Sequence, residues 1–163
     1  MKYIATAVLM FFVFKLNAQC TPNQYESEEE ITLYSDYVFV KRGDEQLSFS
    51  FMKIKGKDEY SITINYTPAN KVELKIRSSN QLVIKSINKV IRLTPTQAPL
   101  DFNDGSKFIV IAKYSINKEQ IKILARGMSI ISIQTSKGDK TINVSSNMEK
   151  KLIDGAKCIL SVE

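Results

Sequence analysis

The chain has 163 residues, with 23 Lys and Arg against 17 Asp and Glu, two cysteines and no histidine. The missing imidazole excludes hydrolytic triads that use a histidine base, and most zinc sites. No glycine-rich phosphate loop occurs, and two cysteines cannot hold a thiolate metal cluster.

Residues 1–18 read as a secretory signal peptide: Lys2, an uncharged apolar run over 4–14, then Ala18 as the small residue before the cut. That run is shorter than the roughly 20 residues that span a bilayer, so removal is expected rather than a retained anchor. Removal takes two basic residues and no acid, leaving 163 − 18 = 145 residues with a net charge of 21 − 17 = +4. A chain of this length buries about two-thirds of its unfolded surface in one core. A single domain over 31–163 behind a polar leader over 19–30 is therefore expected.

Asn17 stands where a lipoprotein signal needs an aliphatic residue, and Gln19 where it needs a small one, so no lipid anchor is expected on Cys20. Cys158 is the only other thiol. In an oxidising compartment the two are expected to pair, closing 158 − 20 + 1 = 139 residues. The chain-entropy account puts that at about 4 to 5 kcal/mol. Two free thiols, with Cys158 as a small core residue, are the alternative.

From Ile31 the sequence turns to β grammar. Residues 31–39 are rich in β-branched and aromatic side chains, and 41–45 interrupt them as a turn. Leu47, Phe49 and Phe51 then alternate with polar partners, as do Tyr60, Ile62, Ile64 and Tyr66. Val72, Leu74 and Ile76 against Lys71, Glu73, Lys75 and Arg77 make the cleanest two-residue period, the mark of a strand with one wet face. Shorter strands are predicted over 81–86 and 89–93, and a loop over 94–100 that carries Pro95 and Pro99. Asn103, Asp104 and Gly105 signal a hairpin turn before residues 108–114, which are apolar on both faces and predict a strand covered twice.

The last third differs in kind. Asn117 and Gln120 form a capping box before an apolar stripe of Ile121, Leu124 and Ala125, with Gly127 to end it. A two-stranded unit is predicted over 129–135 and 140–145. A second capping box, Ser146 to Glu149, opens a helix with Met148, Leu152, Ile153 and Ala156 on one face. The fold class is thus α+β: a mainly antiparallel β-sheet, meander or barrel-like, with two short C-terminal helices.

Residues 114–158 follow a sequence order that resembles a recurring tail of small exported bacterial envelope proteins: Tyr114, the capped helix, Ile-Ser-Ile-Gln-Thr, a Lys-Gly-Asp turn, Ile-Asn-Val and a Lys-rich helix ending in Ala-Lys-Cys. The Ala18-Gln19 junction is similar to export signals of one group of Gram-negative bacteria. The resemblance implies an envelope location and a fold neighbourhood; it carries over no catalytic residue.

Candidate chemistry is sparse. Glu28, Glu29 and Glu30 are consecutive and share no site. Asp101, Asn103, Asp104 and Gly105 suggest a calcium loop, but Ala112 occupies the position that needs a bidentate glutamate. Lys71, Lys75 and Arg77, with Lys85, Lys89 and Arg92 nearby, are a candidate binding stripe for an acidic partner, a lipopolysaccharide phosphate or nucleic acid, and the export signal argues against the last. Equally, lysine lines wet strand faces and guards edges. Tyr34, Tyr37, Tyr60 and Tyr66 offer aromatic surface for a peptide or sugar, with half-buried strand packing the commoner use of such residues.

The expectation is a non-catalytic protein-binding module, of accessory, inhibitor or immunity type, in the periplasm or at the surface of a Gram-negative bacterium. No catalytic residue, metal or cofactor is assigned, and the partner is another envelope or extracellular protein rather than nucleic acid. One alternative is a carrier of lipid or another apolar ligand, suggested by 108–114. The other is a carboxylate-based polysaccharide hydrolase, which needs two acids within about 10 Å across a cleft.

Overall fold

The computed structural model describes residues 20–42, 44–69, 75–103 and 108–162. The expected signal peptide, the turn at Asp104 and Gly105, and residues 71–74 of the predicted strand lie outside them. In chain order the elements are β1 (Asn23–Glu26), β2 (Ile31–Tyr34), β3 (Val38–Arg42), β4 (Glu45–Ile54), β5 (Tyr60–Thr67), β6 (Leu82–Lys85), β7 (Val90–Leu93), β8 (Leu100–Asn103), β9 (Phe108–Ile116), α1 (Lys118–Leu124), β10 (Ile130–Thr135), β11 (Gly138–Asn143) and α2 (Ser146–Ser161).

The protein is mainly antiparallel β with two helices, as its alternating sequence predicts. The strands form two sheets. One has seven strands in the order β1-β2-β4-β5-β9-β8, with β3 also paired to β4; the other runs β11-β10-β6-β7. The chain therefore leaves the first sheet after β5 and returns at β8, which a plain meander would not do. A bridge between Pro95 and Tyr114 joins the returning loop to β9. Across the other side, Lys140 of β11 donates to Glu45 of β4 at 2.8 Å, linking the two sheets.

One core fills the space between them. Phe49, Phe51, Ile62 and Ile64 come from the large sheet, Ile84, Ile131 and Ile133 from the small one, and Leu124, Leu152 and Ile159 from the helices, each 0–3% exposed. The capping box at α1 forms as its sequence predicts, with Gln120 N donating to Asn117 Oδ1 at 2.8 Å and the Gln120 side chain accepting from Asn117 N. At α2 the cap is Ser145, one residue earlier than the sequence suggests. Glu149 is thereby freed from capping and accepts instead from Met128 N at 3.2 Å, tying the end of the α1 turn to α2.

β9 corrects the expectation of a doubly covered strand. Val110, Ala112, Tyr114 and Ile116 are buried, while Phe108, Ile109, Ile111 and Lys113 are only half-buried. It has one dry face, next to the edge strand β8. β8 itself and β1, which lies within the polar leader, are strands that residue pattern does not reveal: β1 is exposed at all four positions.

The most consequential irregularity lies between β2 and β3, which pair with the same side of β4. Tyr34 faces Met52 and Val38 faces Phe49, so three residues, 35–37, oppose two, 50 and 51. This is a β-bulge, and one extra residue exchanges the faces of everything after it. It is held tightly. Ser35 N donates to Phe51 O at 2.8 Å, Phe51 N to Ser35 Oγ at 3.0 Å, and Ser50 Oγ to Ser35 O at 2.8 Å.

α2 packs on this bulge at Gly155. A Cβ there would stand 3.1 Å from Ser35 Oγ and 3.4 Å from the Phe51 ring. Beside it, Cys158 is bonded to Cys20 with Cα atoms 5.3 Å apart, so the expected disulfide is present and fastens the start of the described chain to α2. The last turn of α2 is pinned by Lys53, a buried lysine that donates to the Val162 carbonyl and lies 5.7 Å from the Tyr60 ring centre.

Two stability measurements follow. Helix propensity alone promises about 1 kcal/mol for Gly155→Ala; the contact with Ser35 is expected to cancel it, and urea unfolding that returns the full gain would refute the tight approach. Replacing both cysteines by serine is expected to lower the unfolding free energy by about 2–5 kcal/mol; an unchanged midpoint would show the bridge to be dispensable.

Candidate functional site

The bulge decides which aromatic residues face solvent. In an unbroken strand Leu33, Tyr37 and Phe39 would share one face. With one residue inserted, Val38 turns into the core at 6% exposure while Tyr37 and Phe39 turn outward at 39% and 62%. Tyr34, Tyr37 and Phe39 then form a continuous ledge, with ring centres 6.4 and 6.2 Å apart and planes tilted by 49° and 39°. Tyr25 of β1, 66% exposed, extends it beside Thr32 and Met52. Phe39 lies directly across from Ser48, whose small side chain leaves room for the ring.

The ledge borders an open strand edge. β3 pairs with β4 alone, and no other described strand meets its far side. Two clefts have β3 as a wall. The first, of about 650 Å³, runs past the bulge and the disulfide, with Lys151, Asp154 and Gly155 of α2 opposite. The second, of about 640 Å³, lies at the Val40 and Lys41 end, with Asp139, Lys140 and Thr141 of β11 opposite. Among the described strands β11 also pairs on one side only, with β10.

Electrostatics in these clefts are mixed in sign. Asp36 accepts from Asn23 Nδ2 at 2.9 Å, and Glu45 accepts from both Lys140 and the Tyr66 hydroxyl, the latter at 2.9 Å. Burial, and then the Glu45 carboxylate, hold the Tyr66 hydroxyl well above the ordinary tyrosine range. The displaced carboxylates lie elsewhere. Hydrogen bonds from Lys118 and Lys122 lower Asp58 and Glu119, the direction opposite to what a glycosidase acid requires.

Of the tyrosines singled out by sequence, the structure divides the set. Tyr60 and Tyr66 are core residues at 4% exposure; Tyr34 and Tyr37 belong to the ledge. Of the basic stripe, Lys71 lies outside the described residues, while Lys75 and Arg77 are exposed on a segment that is not a strand. That segment is held to the β10–β11 turn by Lys75 N donating to Ser136 Oγ at 3.0 Å. Phe39 and Tyr25 are the ledge residues that sequence missed: Phe39 because its parity with Leu33 assigns it to the core, Tyr25 because it lies in the segment read as a polar leader. Cys20, its sulfur in the bridge, has none left for the thioether of a lipid anchor.

Among the described residues no three His, Cys, Asp or Glu side chains gather as a metal site, and no helix is long and apolar enough to cross a membrane. A disulfide is compatible with a periplasmic or extracellular protein. Comparison with protein families, curated proteins and solved structures finds no match in any of the three. Geometry therefore carries the functional argument, and it defines an α+β domain with an unpaired strand edge beside an aromatic ledge.

Tyr66 and Tyr114 give this domain a pH signature. Tyr114 is fully buried, its hydroxyl makes no hydrogen bond to the described residues, and burial raises its proton affinity. Unfolding restores both to the ordinary value of 10.0, so their contribution is complete below that pH and is lost as pH rises above it. Chemical denaturation from pH 8 to 11 is expected to show stability falling above about 10, with Tyr114→Phe reducing the slope and costing nothing at neutral pH. A slope unchanged by Tyr114→Phe would exclude that residue as a source.

Proposed function

We propose that this protein is a non-catalytic protein-binding module of the bacterial envelope, in which an extended segment of a partner adds as a strand along the open edge of β3. One observation carries the reading: β3 is five residues long, is paired on one side only among the described strands, and has an aromatic ledge beside its free edge. An unpaired edge offers alternating N–H and C=O groups at strand spacing, a pattern that another extended backbone matches and a sugar or lipid does not. The clefts on either side give room for alternate side chains of the added strand, and Tyr37 and Phe39 supply apolar area at low entropic cost.

The chemistry of the partner follows from the walls. Lys41, Lys140 and Lys151 stand against Asp36, Glu45, Asp139 and Asp154, a near balance, so a segment of low net charge with apolar or aromatic side chains fits best. The tilts of 39° and 49° between successive rings make a poor flat platform for a sugar chain. On this reading the protein acts as an accessory, inhibitor or immunity-type factor and turns over nothing.

The test is to capture partners from the native envelope with the tagged mature protein, then to map the complex by hydrogen exchange. Amides of residues 38–42 are expected to gain protection, and Phe39→Ser to weaken binding by tenfold or more, about the 1.4 kcal/mol of a modest interface anchor. Protection confined to another surface, with Phe39→Ser binding normally, would overturn the assignment.

A further inference from the structure

The β6–β7 hairpin combines charge and apolar exposure in a way the β3 site does not use. Residues 74–100 contain five basic side chains and no acidic one. Three of the five, Lys85, Lys89 and Arg92, sit on this hairpin and are exposed. Lys85 pairs across the strands with Val90, and Val83 with Arg92, which places Lys85 and Arg92 on the outer face of the small sheet with Lys89 beside the turn. None of the three makes an ion pair with a described residue.

Within this ring of cations stand two bare branched aliphatic side chains, Ile87 at 69% and Val90 at 53% exposure. Ile130, half-buried, lies across from Lys85 and extends the patch. Their display is fixed by the rest of the hairpin. Leu82, Ile84, Ile91 and Leu93 occupy the inward positions at 0–5% exposure, and Ser86 is anchored by donating from its N to Lys89 O at 2.9 Å and from its Oγ to Gly127 O at 2.6 Å. With every inward position taken, Ile87 and Val90 can only face out.

We propose that this hairpin docks on an anionic lipid surface, with Ile87 and Val90 entering the boundary between headgroups and acyl chains while Lys85, Lys89 and Arg92 meet the lipid phosphates. Cations alone would suit any polyanion. Exposed branched aliphatics gain free energy only where an apolar phase lies just beyond the charged layer, which is the layout of an anionic leaflet. β7 is at the opposite edge of its sheet from β11, so the hairpin lies away from the cleft that β11 shares with β3.

The probe is vesicle co-sedimentation of the mature protein, with vesicles of phosphatidylethanolamine and phosphatidylglycerol set against pure phosphatidylcholine. Binding is expected to the anionic vesicles, to fall with salt, and to be negligible on phosphatidylcholine. Neutralising Lys85, Lys89 and Arg92 to Gln is expected to weaken it about fivefold per residue. Ile87→Ser with Val90→Ser is expected to weaken it about tenfold at unchanged charge, and Lys150→Gln on α2 to leave it alone. Because all five hairpin positions are exposed, circular dichroism is expected to match the parent. Equal binding by the serine variant would recast the hairpin as a general polyanion site, and absent or charge-independent vesicle binding would overturn the proposal altogether.

Discussion

Much of this molecule depends on one surplus residue. Between Ser35 and Tyr37 the strand that faces β4 carries three residues against two, and this single insertion reassigns the faces of all that follows in β3. Val38 becomes core and Phe39 becomes surface. The serine that begins the bulge is tied to Phe51 through both backbone and hydroxyl and accepts from Ser50, so three hydrogen bonds on one residue hold the irregularity and it cannot relax at low cost. Its conformation also shapes the seat of α2, where Gly155 permits the helix to close on Ser35.

This explains what sequence could and could not convey. Strands β4, β5, β6 and β7 follow from alternation, and α1 from its capping box, because each signal is local; burial alternates with it in β6 and β7, whereas in β4 and β5 the polar alternates Ser48, Ser50, Ser61 and Thr63 are buried too. The bulge has no comparable mark. Nothing in Tyr34-Ser35-Asp36-Tyr37 announces an extra residue, so simple parity sends Tyr37 and Phe39 inward with Leu33. The Ser145 cap was displaced by one position for a related reason: two adjacent serines could each serve, and a tertiary contact, Glu149 with Met128 N, favours the first.

Partition into two sheets was equally hidden. β8 is a short strand whose Leu100 and Phe102 are exposed, held by its register with β9 rather than by its own pattern. β1 is polar and wet throughout, and exists because β2 offers it an edge. The candidate site was legible only in fragments. Tyr34 and Tyr37 were visible as aromatic residues in a β segment, but the ledge needs Phe39, and the open edge needs the knowledge that β1 pairs with β2 only as far as Tyr34 and that no other described strand meets β3.

The bond between Cys20 and Cys158 has a mechanical meaning. Covalently, residues 20–158 are a closed loop: sulfur joins two residues 138 positions apart. Tension applied to the chain ahead of Cys20 and resisted beyond Cys158 runs through the bridge and a few residues of α2, while both sheets stay outside the load path. The loop cannot be drawn out while the bridge holds. A protein built this way can be pulled or tethered by its ends and still present β3 and the β6–β7 hairpin undistorted.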